Sequence, residues 1–169
     1  MKEIKLFITD IDGVWTDGTM FYTDEGYMGK KFHTYDSAGV LFLNLAGIPT
    51  AIISGEDSPA VHKRAEKLKI KEVYTGVNNK VLSIEKLLLK YKISWSEIAY
   101  IGDDINDIKV FEKAGLTACP AQSPIYIKEK VDWILKKEGG QGVFREFVEK
   151  YLEEKGLMKE VLEKYLNKI

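Results

Sequence analysis

Two acidic residues two positions apart, Asp10 and Asp12, follow a short apolar run near the start of the chain. The run, Ile4–Thr9, has the composition of a buried parallel strand. Ligands of open α/β sheets bind where such strands end. Side chains at i and i+2 leave a strand on the same side, so both carboxylates can face one small space. Two such acids repel each other, so they need a cation, a shared proton or separate roles in a reaction.

Further polar groups stand at the ends of other predicted strands. A hydroxyl and a glycine follow Ala51–Ile53, a lysine opens a helix, and an acidic stretch follows Ile98–Ile101. Taken singly, each is explained by a turn, a helix cap or a solvated surface charge. Together they make an odd set of turns but a coherent site for Mg²⁺ and a phosphoryl group. The groups are Ser54, Gly55, Lys80, Asp103, Asp104 and Asp107.

The expected chemistry is phosphoryl transfer to a carboxylate. Mg²⁺ prefers hard oxygen ligands, and Asp10, Asp103 and a backbone carbonyl near Asp12 would suffice to hold it. The metal would neutralise the acids and the incoming phosphate dianion, so that an anionic nucleophile can approach. A carboxylate could then attack phosphorus and form an aspartyl-phosphate.

The remaining groups fit the other needs of such a reaction. Ser54, the Gly55 N–H and Lys80 would hold the non-bridging oxygens, where charge sits in the transition state. The second acid, Asp12, would lie near the leaving oxygen. It could protonate the leaving alkoxide and then deprotonate the attacking water.

Apolar strings rich in β-branched residues alternate with segments of helical periodicity, which predicts a parallel sheet with crossover helices. We expect one α/β domain over residues 1–169, a three-layer, Rossmann-like sheet with helices on both faces. The predicted strands are Ile4–Thr9, Thr50–Ser54, Glu72–Tyr74, Ile98–Ile101, Leu116–Ala118 and Asp132–Leu135. The predicted helices are Ser37–Ala46, Pro59–Leu68, Lys80–Tyr91 and Ile105–Lys113.

Residues 19–33 interrupt this alternation with two short apolar strings around Asp24-Glu25-Gly26, which predicts a β-hairpin after the first strand. Because a two-stranded ribbon alone is marginally stable, we expect it to pack against other subunits. The alternative is that it folds back on its own sheet. Its apolar groups are Met20, Phe21, Tyr22, Tyr27, Met28 and Phe32.

Residues 139–169 form a second departure from the alternation. The segment Gly139-Gly140-Gln141-Gly142 is predicted to be a flexible hinge. The helix that follows from Val143 carries an apolar stripe at helical spacing, and such a stripe usually marks core contact. The hinge would allow this helical tail to lie near a site.

The bulk composition limits the partners. The chain has 169 residues and a net charge of −1, so nothing in its charge favours nucleic-acid binding. One cysteine, Cys119, excludes an internal disulfide framework and is expected to pack in the interior. The first residues lack the apolar segment of a signal peptide, and no apolar run has the length of a membrane span. We therefore expect a cytoplasmic protein with no membrane partner.

The chemical residues also occur in the order of a known family. Asp10-x-Asp12-Gly13, Ser54-Gly55, Lys80 and Gly102-Asp103-Asp104-x-x-Asp107 resemble the four motifs of the haloacid dehalogenase superfamily of phosphatases. The resemblance implies that Asp10 is the nucleophile and Asp12 the general acid/base. It implies an Mg²⁺ ion on Asp10, the Asp12 carbonyl and Asp103, with Asp104 and Asp107 as supporting acids. The short segments between the motifs leave no room for a cap domain.

Three longer strings, Thr9–Gly18, Lys31–Gly39 and Gly139–Glu146, resemble a narrower family. Its members dephosphorylate 3-deoxy-D-manno-octulosonate 8-phosphate, and close relatives act on nine-carbon nonulosonate 9-phosphates. The resemblance implies a homotetramer built through the hairpin. It also implies that the tail, with Gly140, Gln141 and Gly142, reaches the substrate in a neighbour's site.

The chain departs from the octulosonate pattern in three places, which bears on the identity of the sugar. Two of them are Gln141, where that branch has Arg in the Gly-rich tail, and Tyr35-Asp36-Ser37, where that branch has Arg-Asp-Gly. The third follows the second motif. That branch has Arg after the Ser/Thr-Gly pair, where this chain has Glu56. An acid with a nearby basic side chain, Arg64 or Lys67, resembles the nine-carbon branch. The plain alternative for Glu56 is a first-turn charge that interacts with the helix dipole. A phosphatase acting on another small phosphorylated metabolite is also left open.

Two other classes of protein share parts of this pattern. A signalling receiver domain also uses Mg²⁺ and an aspartyl-phosphate, but its acid pair precedes the phosphorylated aspartate. Here the pair Asp103-Asp104 follows Lys80, which disfavours a receiver. A calcium loop would begin like Asp10-x-Asp12, but Trp15 stands where that loop needs glycine.

Overall fold

The computed structural model describes residues 3–167, except for the side chains of Tyr27 and Met28. The predictions for these two side chains in the hairpin, and those for the two residues at each end of the chain, therefore lie outside the described part. A six-stranded parallel sheet has the order β5-β4-β1-β6-β7-β8. Its strands are β1 Leu6–Thr9, β4 Thr50–Ile53, β5 Glu72–Tyr74, β6 Ile98–Ile101, β7 Leu116–Cys119 and β8 Trp133–Ile134.

All six predicted strands are present. β5 and β6 have the predicted ends, and the ends of the other four differ by one or two residues. The first predicted strand began two residues too early, since β1 starts at Leu6 rather than Ile4. The backbone N–H of Ile4 instead donates to the Tyr151 hydroxyl at 3.1 Å, so this residue is bound to a helix and not to a neighbouring strand. The centre of the sheet matters most for the site, because β1 pairs with β4 on one side and β6 on the other.

Helices cover both faces of the sheet. They are α1 Asp36–Ala46, α2 Pro59–Leu68, α3 Lys80–Tyr91, α4 Ile108–Phe111, α5 Ile125–Lys128, α6 Val143–Glu154 and α7 Met158–Leu166. The predicted helix over 105–113 was wrong in its first turn, which is a 3₁₀ turn over Ile105–Asp107. The Asp104 and Asp107 side chains bind backbone N–H groups there in a capping box, and this holds the tighter turn.

Each face of the sheet has its own apolar layer. Phe7 of β1 points to the face of α1 and α6, where its ring centroid lies 5.2 Å from that of Phe147. The neighbouring Leu6 and Ile8 point to the opposite face and pack with Ile84 of α3. This alternation places helices on both sides, which confirms the three-layer α/β architecture. Cys119 is buried in the second layer, as predicted.

The tail is part of the core. Phe144, Phe147 and Tyr151 of α6 are buried against β1 and α1. The glycines before α6 lie close to the loop after β1, and their role as a hinge stays a prediction. A Cβ atom on Gly139 would overlap the carbonyl oxygen of Gly13 and lie 2.7 Å from that of Thr16, so Gly139 permits close backbone packing.

The hairpin consists of β2 Phe21–Thr23 and β3 Gly26–Gly29, which form a separate two-stranded sheet. Phe21 and Tyr22 are 50% and 65% exposed. The part of the chain between β1 and α3 holds only this hairpin, α1, β4, α2 and β5, so no cap domain is inserted there. Among residues 3–167, no helix combines the length and apolar character needed to cross a bilayer.

Candidate active site

The loop after β1 holds Asp10 in one orientation. Its backbone N–H continues the sheet by donating to the Ile101 carbonyl at 3.0 Å. Oδ1 accepts the Ile11 N–H at 2.7 Å, and Oδ2 accepts the Lys80 ammonium at 2.7 Å. Asp10 is only 4% exposed. The loop then turns back at Gly13, which has φ +75°. Asp12, which directly precedes this turn, lines the same cavity as Asp10.

Lys80 occupies the first position of α3, where Asn79 caps the helix by accepting the Leu82 N–H. Its ammonium lies between two carboxylates, 2.7 Å from Asp10 Oδ2 and 2.6 Å from Asp107 Oδ1. Burial opposes the charged form, but the two carboxylates outweigh burial and raise the pKa of Lys80 above its ordinary value. Lys80 therefore stays a cation in the buried site.

Asp107 is fully buried, and four donors occupy its carboxylate. Oδ1 accepts the Lys80 ammonium and, at 2.5 Å, the hydroxyl of the buried Tyr100. Oδ2 accepts the backbone N–H groups of Asp103 and Asp104 at 2.9 and 3.3 Å. Both oxygens of Asp107 thus accept hydrogen bonds that hold Lys80 and the 103–104 loop in place.

A cavity of about 310 Å³ opens at this edge of the sheet. Asp103 follows β6, which pairs with β1, so it emerges beside Asp10. The residues that line the cavity are Asp10, Asp12, Gly13, Asp17, Gly18, Asp103, Asp104, Asn106 and Gln122. The site is therefore lined mainly by acidic and small residues, which suits a cation and a small anionic ligand bound together.

The acids are arranged to bind a cation. One carboxylate oxygen from each of Asp10, Asp103 and Asp107 lies within 4.8 Å of the others. Burial, and then the charges of its acidic neighbours, raise the pKa of Asp103 to about 8. Burial raises the pKa of Asp10 to about 7, although Lys80 acts in the opposite direction. Such mutual repulsion between hard oxygen donors fits a site for Mg²⁺, which would remove it.

Ser54 lies at the same edge. It follows β4, whose Ile52 is aligned with Thr9 of β1, so Ser54 and Asp10 leave adjacent strands together. Ser54 is 1% exposed, and its hydroxyl has no hydrogen-bond partner among the described residues. A buried hydroxyl without a partner is costly, so a ligand oxygen at this position would stabilise it.

Comparison with known proteins agrees with this geometry. Residues 56–147 match the haloacid dehalogenase-like hydrolase family. The chain is 38% identical over 92% of its length to the 3-deoxy-D-manno-octulosonate 8-phosphate phosphatase of Haemophilus influenzae, of which it covers 87%. This chain belongs to the haloacid dehalogenase-like hydrolases.

Two solved structures place metal in this hydrolase fold. The cobalt-bound deoxy-D-mannose-octulosonate 8-phosphate phosphatase of H. influenzae superimposes with a TM-score of 0.88 at 38% identity, covering 91% of this chain and 90% of that one. The Moraxella catarrhalis 3-deoxy-D-manno-octulosonate 8-phosphate phosphatase was solved with magnesium, phosphate and KDO. It gives a TM-score of 0.85 at 36% identity, with coverages of 89% and 86%. The hydrolase is thus a phosphatase, and the receiver-domain alternative is wrong.

The structure places three predicted substrate-binding residues outside the cavity. Glu56 is half-buried after Gly55, and Lys67 is exposed in the last turn of α2. The Arg64 guanidinium donates to the Ser37 hydroxyl at 2.7 Å and the His33 carbonyl at 3.2 Å. These contacts connect α2 to the first turn of α1 and to the segment before it. A role for the three residues in binding substrate stays a prediction.

The predicted tail residues lie next to the site loop of their own chain. The Gly140 N–H donates to the Val14 carbonyl at 2.9 Å, Gly142 is buried, and Gln141 is exposed between them. Gln122, which the sequence did not reveal, bridges the two segments. Its amide donates to the Gly13 carbonyl at 2.8 Å and accepts the Gly139 N–H at 2.9 Å.

Lys30 is, after Gln122, a second residue near the site that the sequence analysis did not predict. It follows β3, and its ammonium contacts the Asp12 carboxylate at 2.5 Å with a side chain that is 0% exposed. Nothing in its local sequence distinguishes it from the neighbouring Lys31. A residue that is remote from the motifs in sequence and close to them in space cannot be found by motif spacing.

Proposed function

We propose that this phosphatase hydrolyses the phosphate monoester of a 2-keto-3-deoxy sugar acid, 3-deoxy-D-manno-octulosonate 8-phosphate or a nonulosonate 9-phosphate. The reaction would depend on Mg²⁺ and pass through an aspartyl-phosphate on Asp10. The proposal rests on the Asp10 carboxylate, which Lys80 and the Ile11 N–H hold in one orientation. This carboxylate also belongs to a group of acids that could hold a metal ion. The substrate of a relative that is 38% identical to this chain, the 3-deoxy-D-manno-octulosonate 8-phosphate phosphatase of H. influenzae, supports the choice of sugar acid.

Asp10 would be the nucleophile. Its two oxygens are oriented by separate donors, so little reorganisation is needed when one of them attacks phosphorus. Mg²⁺ bound by Asp10, Asp103 and the Asp12 carbonyl would neutralise the site and admit the phosphate dianion. Lys80 stays protonated between Asp10 and Asp107 and would balance charge on the transferring group.

Ser54 and the Gly55 N–H would bind the non-bridging oxygens together with Lys80. The buried Ser54 hydroxyl has the donor that a phosphoryl oxygen requires and no competing partner among the described residues. Gly55 is exposed, and a Cβ there would meet only distant atoms, so a ligand can approach its backbone. Ser54 and Gly55 directly follow β4, so their positions are fixed by the sheet.

Asp12 would act as general acid and then as general base. It lines the cavity beside Asp10, and its side chain is 24% exposed, so a leaving group and a water can both reach it. Donating a proton to the departing alkoxide would allow the P–O bond to break. The resulting carboxylate would accept a proton from the water that hydrolyses the aspartyl-phosphate.

The sugar would be recognised outside the cavity, by Glu56, Arg64, Lys67 and the tail residues. A panel of eight- and nine-carbon sugar acid phosphates and hexose phosphates, with and without magnesium, tests the substrate. We expect kcat/KM to be highest for one of the sugar acids. Equal or higher values for hexose phosphates would favour another small metabolite.

A variant pair tests the sugar contact. Glu56→Gln should lower kcat/KM for the preferred sugar acid phosphate and leave p-nitrophenyl phosphate unaffected. Glu66→Gln, on the exposed face of α2, is the matched control. Equal effects of the two variants would remove Glu56 from the sugar site.

We also propose a cytoplasmic homotetramer formed through the hairpin, because Phe21 and Tyr22 expose large apolar surfaces on a separate two-stranded sheet. Light scattering should give four times the 19.2 kDa chain mass, and Phe21→Ser with Tyr22→Ser should lower it.

A tail that acts in a neighbouring site predicts complementation. Mixed tetramers of Asp10→Asn and Gln141→Ala chains should exceed the average activity of the two parents.

A further inference from the structure

Lys30 connects the hairpin to the acid that faces the cavity. It lies directly after β3, and its ammonium is 2.5 Å from Asp12 Oδ1. Thr16 donates to the same oxygen, but at the longer distance of 3.4 Å. Because both donors bind Oδ1, Oδ2 is the oxygen that can face a leaving group in the cavity.

The burial of Lys30 is the informative feature. Lysine side chains on a hairpin normally extend their ammonium groups into water, and the next residue, Lys31, is exposed. The Lys30 side chain is 0% exposed, and removing an ammonium group from water costs several kcal/mol in general unless it is paired. A charge buried at that cost, and directed at the side chain that faces the cavity, suggests a role in orienting Asp12.

We propose that Lys30 is a positioning residue that holds Asp12 in the orientation needed for both of its proton transfers. The inference rests on the proposed function of Asp12. In the first transfer, the Asp12 proton passes to the alkoxide as the P–O bond breaks and the Asp10–P bond forms. In the second, Asp12 takes a proton from water as the new P–O bond forms and the Asp10–P bond breaks, which releases inorganic phosphate.

Substrates with different leaving groups separate this role from simple stabilisation. Nitrophenolate leaves without protonation, whereas a sugar alkoxide needs the acid. Lys30→Met should therefore lower kcat/KM for a hexose phosphate by about 10- to 100-fold, a part of the contribution typical of a general acid. The effect on kcat/KM for p-nitrophenyl phosphate should be less than about 3-fold, because kcat/KM covers only the steps through formation of the aspartyl-phosphate and not the second transfer. Lys30→Arg should recover part of the loss, and Lys31→Met is the matched control.

A double-variant cycle provides the decisive comparison. If Lys30 acts through Asp12, adding Lys30→Met to Asp12→Asn should cause no further loss. Equal losses with both leaving groups, or additive losses in the cycle, would overturn the proposal. So would a loss confined to substrates that carry a carboxylate, since Lys30 would then bind the sugar acid.

Two controls keep the outcome clear. Thermal unfolding is measured for each variant, and Lys30→Gln replaces Lys30→Met in the same assays if the latter does not fold. Wild-type turnover of the same phosphates tests the phosphatase itself. Absence of turnover there would contradict the proposed function, whereas normal turnover without leaving-group selectivity in the variants would contradict only the role of Lys30.

Discussion

The Asp36 carboxylate in the first turn of α1 accepts a hydrogen bond of 3.2 Å from the Arg145 N–H in the first turn of α6. This contact supplies a cap that α6 lacks locally, because Gly142 has no side chain to offer. It joins the segment after the hairpin to the tail helix. Asp36 is fully buried, and burial raises its pKa to about 6 in spite of this hydrogen bond.

The raised pKa of Asp36 should make the stability of the protein depend on pH. Asp36 binds its proton more tightly in the folded protein than in the unfolded chain, where its pKa is near 3.8. Its contribution to the free energy of unfolding therefore falls as pH rises from about 4 to about 6. Asp36→Asn keeps an acceptor oxygen but removes this dependence. In urea unfolding, the free energy of unfolding of the variant should rise by about 2 kcal/mol relative to that of the wild type across that pH range. Asp24→Asn, on the exposed hairpin turn, should run parallel to the wild type; parallel curves for Asp36→Asn would contradict the prediction.

Asp10→Asn should abolish phosphate release while the fold is retained. The amide oxygen can still accept the Ile11 N–H, and repulsion with Asp103 is reduced. Because the nucleophile is lost, kcat should fall by at least about 10³-fold. Phosphate assays and circular dichroism measure the two effects, with Asp24→Asn as the control. Magnesium-dependent hydrolysis at the wild-type rate would remove Asp10 from the role of nucleophile.

Magnesium should bind more tightly at high pH. The pKa values of about 7 for Asp10 and about 8 for Asp103 mean that protons compete with the metal near neutrality. The affinity measured by calorimetry should rise by at least about 10-fold between about pH 6 and pH 9. Asp103→Asn should weaken binding throughout and flatten this rise. An affinity independent of pH would mean that these acids do not hold the ion.

Tyr100→Phe should destabilise the protein by about 2 kcal/mol, since it removes a buried donor from the Asp107 carboxylate. The remaining three donors should keep Asp107 in place, so kcat should fall only modestly. Tyr126→Phe is the matched control, because Tyr126 is 45% exposed. Denaturant unfolding gives both values. A change for Tyr100→Phe no larger than that for Tyr126→Phe would show that the hydrogen bond contributes little.

Gly139→Ala tests the close packing of the tail on the site loop. The added methyl would overlap the Gly13 carbonyl, so we expect a loss of roughly 2 kcal/mol or more together with reduced activity. Gly156→Ala separates backbone strain from contact. Gly156 has φ +68° with open space around it, and the expected cost is about 1 kcal/mol. Activity should be unchanged in that variant. A stable, active Gly139→Ala protein would show that this close packing is not required.

The sequence was sufficient for the strands and for the order of the motifs. Local patterns carry this information, because an apolar run such as Ile4–Thr9 must be buried and the residue after it must leave at the sheet edge. The 3₁₀ turn at Ile105–Asp107 could not be predicted in the same way. It depends on Asp107, whose side chain is held by Tyr100 and Lys80 from other elements.

The sequence by itself determined a parallel α/β sheet with Asp10, Asp12, Ser54 and Asp103 after its strands and Lys80 at the start of a helix. Each of these features follows from periodicity and spacing among residues that are close together in the sequence. The tertiary structure alone decided that Lys30 faces Asp12, that Gly139 packs on Gly13 and that Glu56, Arg64 and Lys67 lie outside the cavity. Such contacts join residues far apart in the chain, and only the packing of the hairpin and the tail on the sheet brings them together.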